Sequence, residues 1–132
     1  QLKYGDLITM IRIILSVAVL LFAQQAAADD INGVWKHADE PGWIEIQLEK
    51  GSGTVERNDK FPERVGREIL KDLATGGEAQ TWSGLIYVEK MGEYKNADII
   101  LASPDRMKIT VKVGFMSRII EWQRVDEVPA AP

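Results

Sequence analysis

From Gly33 onward the chain alternates apolar and polar positions, breaking off at short intervals. "WIEIQLE" (43–49) sets Ile44, Ile46 and Leu48 against Glu45, Gln47 and Glu49, and "MKITVKV" (107–113) sets Met107, Ile109, Val111 and Val113 against Lys108, Thr110 and Lys112. A period of two is the mark of a strand with one buried face. "GVWKH" (33–37), "TVER" (54–57), "TWSGLIYVE" (81–89), "EYKNADIIL" (93–101) and "RIIEWQRV" (118–125) continue the series. Between the strands lie "KGSG", "KMG", "ASPDR" and "GFMS", which carry the Gly, Pro, Ser and Asp that tight turns require. Short consecutive strands joined by short turns predict an antiparallel all-β domain.

One segment departs from the alternation. In "FPERVGREILKDLATGG" (61–77), Val65, Ile69, Leu70 and Leu73 recur at helical spacing, Pro62 suits a first helical position and Gly76 a stop. The spacing predicts a short helix over 62–74, with Gly66 against it and "REILKDL" as a strand the alternative. The count is then about seven or eight strands, and either number suits a small antiparallel up-and-down barrel, in which closure removes the exposed edges of an open sheet.

Ahead of this domain stands "MIRIILSVAVLLFAQQAAADD" (10–30). Its uncharged run, Ile13 to Ala23, would reach about 16 Å as a helix, half of a bilayer core of about 30 Å. Met10 and Arg12 provide a start and a positive region, and Ala26 and Ala28 provide the small-x-small pattern before Asp29. This predicts a signal peptide cleaved after Ala28, with residues 1–9 upstream of the start, and therefore a periplasmic protein of a Gram-negative cell with no membrane attachment after cleavage. The organisation expected is residues 1–28 removed, a single barrel domain over 29–127, and a loose tail over 128–132.

The chain carries a net charge of −4 with its one histidine neutral, and losing Lys3, Arg12 and Asp6 leaves it more acidic still. Basic residues are scattered, with no stripe interleaved with aromatics, which argues against nucleic acid. With no cysteine in an exported chain, the fold rests on burial and hydrogen bonding alone.

The order "GVW", "WIEI", "RVGREIL", "WSGLIY", "ADIIL" and "MKITVKVGFMSRIIEWQRV" resembles the exported bacterial proteins grouped as domain-of-unknown-function family 2147, over nearly all of Asp30 to Asp126. The resemblance implies a small lipocalin-like barrel and carries no activity with it. This chain lacks the paired cysteines of many members and has "VEKMG" (88–92) where their "DP-x-x-G" hairpin is expected. Gly33-x-Trp35 also looks like the first-strand signature of lipocalins and fatty-acid-binding proteins, in which the Trp closes one barrel end under an Arg of the last strand. The resemblance makes Gly33, Trp35, Trp122 and Arg124 the closure residues, with Arg124 over Trp35.

Candidate chemistry is sparse. His37 neighbours Asp39, Glu40 and Glu45, but a zinc site ordinarily requires several His or Cys ligands, and a lone His among carboxylates reads as solvated surface. No Ser or Cys nucleophile stands in a catalytic frame. No catalytic residue, metal or cofactor is expected, and the protein is not expected to be an enzyme. Two functions remain. One is a binding module whose mouth, lined by Trp82, Met107, Phe115 and Met116, holds a small apolar ligand. The other is an envelope protein with a filled barrel that meets a protein partner. Eight strands enclose a space that side chains can fill, so the expected cavity is small or absent.

Overall fold

A computed structural model describes residues 30–130; the expected signal peptide and its cleavage site lie outside them. Eight strands form a closed barrel in chain order: β1 (Gly33–His37), β2 (Gly42–Gln47), β3 (Ser52–Asn58), β4 (Glu68–Thr75), β5 (Thr81–Val88), β6 (Glu93–Ser103), β7 (Arg106–Val113) and β8 (Met116–Val125). Every neighbouring pair is antiparallel, and β8 returns to β1 with Trp35 opposite Arg124 and His37 opposite Trp122. The protein is a small all-β up-and-down barrel.

The alternation explains the inside of the barrel. Ile44 and Ile46 of β2, Ala97, Ile99 and Leu101 of β6, and Met107, Ile109 and Val111 of β7 are all buried, while the residues between them face outward. Burying each of the larger side chains contributes about 1.5–3 kcal/mol, so a slip of one residue in register would exchange the core for the solvated face.

The helix expected over 62–74 is not formed. Pro62–Arg64 make a single 3-10 turn, Gly66 breaks the backbone at a φ of 90°, and β4 follows, paired on both sides with β3 and β5. Without β4 the barrel would have an open gap. The helical spacing has a local cause: the register shifts between Lys71 and Ala74, and Asp72 takes a φ of 54°. This bulge adds one residue to the strand and reverses its parity, so Leu70 and Leu73, three apart, are both buried. Gly84 of β5 accommodates the bulge, since a Cβ there would lie 2.8 Å from the Lys71 carbonyl oxygen and 2.8 Å from Leu73 Cδ2.

On the outer face Trp43 is buried under two cations, Lys36 Nζ at 5.6 Å and the Arg57 guanidinium at 4.8 Å from its ring centre. Arg57 is itself held by Asp59 and donates to the carbonyls of Pro129 and Ala130 at 2.7 and 2.9 Å. The start of the C-terminal segment is thereby tied to the barrel wall.

Candidate functional site

The two ends of the barrel are built differently. At one end lie the segment entering β1, the β2–β3, β4–β5 and β6–β7 turns and the end of β8. Ile31 and Trp35 are both fully buried there, and the Trp35 indole N–H donates to the Ile31 carbonyl at 2.9 Å. Arg124 lays its guanidinium over the Trp35 ring, 4.4 Å from the ring centre. Its donors reach the carbonyls of Asp30 (2.6 Å), Asn32 (2.6 Å) and Pro104 (2.8 Å). Gly33 permits this approach: it sits at a φ of 120°, and a Cβ there would lie 3.3 Å from Arg124 Nη1. One side chain thus fastens the entering segment, the β6–β7 turn and the last strand, and seals this end.

The opposite end is open. A cavity of about 750 Å³ enters between the β1–β2, β3–β4, β5–β6 and β7–β8 connections, with a wall of Ile44, Val55, Ile86, Val111, Ile120 and Trp122. This is larger than the small or absent cavity expected from the strand count. The bulky side chains Trp35, Trp82, Met107 and Leu101 pack toward the sealed half, whereas Val55, Val88, Val111 and Val113 line the open half with short side chains that do not meet across it.

The rim is charged. Among the described residues, Lys60, Arg64, Lys90 and Arg118 line it together with two carboxylates, Glu40 and Glu89. Glu89 accepts from Arg67 and lies 3.5 Å from Arg64, whose guanidinium also stacks 3.8 Å from the Phe61 ring centre. Glu40 lies 3.8 Å from Lys60. Lys90 and Arg118 form no ion pair among the described residues. In a chain of net charge −4, the mouth therefore carries surplus positive charge.

No family model, curated protein or solved structure matches this chain.

The residues singled out from the sequence are divided by this geometry. Of the four expected at the mouth, Met116 alone lines it. Trp82 is 6% exposed and belongs to the sealed half of the core, and Met107 is wholly buried between Leu101 and Trp122 in the register. Both have inward parity, but at a depth where side chains from the whole ring meet. Phe115 is fully exposed at the β7–β8 turn, where no strand carries it over the barrel. Gly33, Trp35 and Arg124 come together at the sealed end. Trp122 does not join them: it lines the cavity, four percent exposed, and its indole N–H has no acceptor among the described residues.

His37 is more than solvated surface. It ends β1 half-buried at the mouth, its ring edge-on to Trp122 with centres 5.0 Å apart. Its Nδ1 accepts the backbone N–H groups of Asp39 and Glu40, both at 3.0 Å, and so shapes the β1–β2 turn. Burial lowers its pKa below the ordinary 6.5, against the pull of Asp39 and Glu40 in the other direction and with the help of the nearby Lys36 and Arg118 cations. Among the described residues no cluster of three or more His, Asp or Glu is placed to hold a metal ion.

The strongest residue missed from the sequence is Arg118. In "RIIEWQRV" it shares parity with Ile120 and Trp122, so the same alternation that marks the core also marks a charge turned toward the barrel interior.

Proposed function

We propose that this protein is a periplasmic binding module whose barrel receives a small apolar ligand through its open end. The observation that carries this reading is the pairing of an apolar cavity of about 750 Å³ with a sealed opposite end. The volume falls within the roughly 300–1,000 Å³ of small-molecule sites, and the wall offers an apolar guest the burial that drives such binding. Trp122 supplies one buried N–H without a partner among the described residues, which would otherwise cost about 1–3 kcal/mol, so a guest with an acceptor gains a hydrogen bond on the apolar wall. The apolar run Ile13–Ala23 and the Ala26–Ala28 site support export, and the resemblance of Gly33, Trp35 and Arg124 to the lipocalin closure supports a carrier-like role.

Titration with the uncharged fluorophore N-phenyl-1-naphthylamine tests the reading. A saturable rise in emission at one site per chain is expected, and Ile120→Trp, which places an indole in the cavity, should abolish it while the far-ultraviolet circular dichroism is retained. No saturable rise with the native protein, or equal binding by the filled variant, would refute it.

A further inference from the structure

The cavity explains why a ligand should be apolar, but it does not explain its charged mouth. Resting on the reading of the barrel as a binding module, we propose that the ligand is an anion-headed amphiphile, its single apolar chain inside the barrel and its carboxylate or phosphate head held at the mouth by Arg118, with Lys90 lining the same opening.

Placement comes first. Arg118 is on the inward face of β8, in register with Val111 of β7 and on the same parity as Ile120 and Trp122. Exposed to solvent, it lines the mouth at the edge of the apolar wall. His37 lines the same opening.

Availability comes second. The other rim arginine is committed: Arg64 stacks on Phe61 and pairs with Glu89. Lys60 has Glu40 nearby at 3.8 Å. Arg118 and Lys90 are left with neither an ion pair nor a hydrogen bond from their side chains among the described residues.

Charge sign comes third. A cationic head would meet a mouth whose two carboxylates are already accompanied by Arg64, Arg67 and Lys60, and would lie against two unneutralised cations. An anionic head meets the reverse. A surplus of positive charge at an opening with apolar walls concentrates anions there even though the protein as a whole is acidic. The planar fork of an arginine suits both carboxylate and phosphate, which it can bind through two parallel hydrogen bonds.

The experiment is competition against bound N-phenyl-1-naphthylamine by four twelve-carbon probes, each below its micelle concentration: dodecanoate, dodecyl phosphate, dodecan-1-ol and dodecyltrimethylammonium. At least one of the two anions should displace the fluorophore about ten- to a hundredfold more tightly than the alcohol, and the cation should be the weakest. Which anion leads identifies the head. Arg118→Gln should remove most of that preference while leaving the alcohol unchanged. Lys108→Gln, which removes an equal charge from the outward face of β7, should leave all four probes as they were. Equal affinity of the four probes would overturn the head-group assignment and leave the binding module standing. An anion preference unaffected by Arg118→Gln would overturn the role of Arg118. If the fluorophore itself does not bind, both readings fall together.

Discussion

Replacing Arg124 tests how the barrel is held shut. Arg124→Ala removes three hydrogen bonds from a guanidinium to the carbonyls of Asp30, Asn32 and Pro104, and the stacking on Trp35. A hydrogen bond from a charged donor contributes about 1.5–3 kcal/mol when well buried, and a cation over an aromatic face about 0.5–2 kcal/mol. Two of the three hydrogen bonds are exposed and screened by solvent, so each is discounted to about 0.5 kcal/mol; with about 1.5 kcal/mol for the part-buried bond and about 0.5 kcal/mol for the stacking, the loss should be about 3 kcal/mol. Against a total stability of about 5–15 kcal/mol that is a large fraction. Urea denaturation followed by circular dichroism should show the midpoint falling by about 1–3 M. Arg124→Lys keeps the charge but not the fork, cannot reach three carbonyls while stacked, and should recover less than half of the loss. Trp35→Leu removes the ring and its N–H bond to Ile31, and should cost about 3 kcal/mol or more. The double variant should be more stable than the sum of the single losses implies, by at least about 0.5 kcal/mol. Strict additivity, or Arg124→Lys indistinguishable from the native protein, would refute the assignment of the closure to this pair.

Two further outcomes follow from the geometry. Because folding lowers the pKa of His37, the unfolded chain takes up its proton first as the pH falls through the ordinary 6.5; stability should decline from there to the lower pKa of the folded state and then level. His37→Gln should lack this step in a series of urea midpoints between pH 7.5 and 5.5, and an identical step in the variant would show that another group is responsible. Gly84→Ala drives a methyl group into the Lys71 carbonyl and Leu73 across the bulge, and should cost about 1–3 kcal/mol, with hydrogen exchange rising first in β4 and β5; unchanged exchange there would mean that the bulge yields freely.

Seven of the strands are legible because each buries one face in register, and burial writes itself into sequence as alternation. β4 is obscured for a physical reason: the extra residue at Asp72 converts spacing of two into spacing of three, which is also the spacing of a helix face. Closure by Trp35 and Arg124 could be anticipated from the resemblance of Gly33-x-Trp35 to the lipocalin signature, together with the need for first and last strands to meet in a ring. The cavity could not. Whether a barrel is full depends on how large and small side chains from eight strands are distributed between its two ends, a sum over the whole ring that no single run displays. Within a run, however, the inward parity of Arg118 was visible. A charged residue among Ile120 and Trp122 is a departure from the pattern of the kind that marks a site.

The seam between β1 and β8 also bears on how the molecule comes into being. Arg124 grips the carbonyls of Asp30 and Asn32 across 94 and 92 residues of sequence. The seven hairpins need only short loops to close, whereas this last pairing must wait until the whole chain is available and then bring its two ends together. Until that moment β1 and β8 are bare edges able to pair with the edges of other molecules. The step that completes the ring is therefore the slow, concentration-sensitive one, and a chain shortened at either end would keep its hairpins but spend its life as an open sheet.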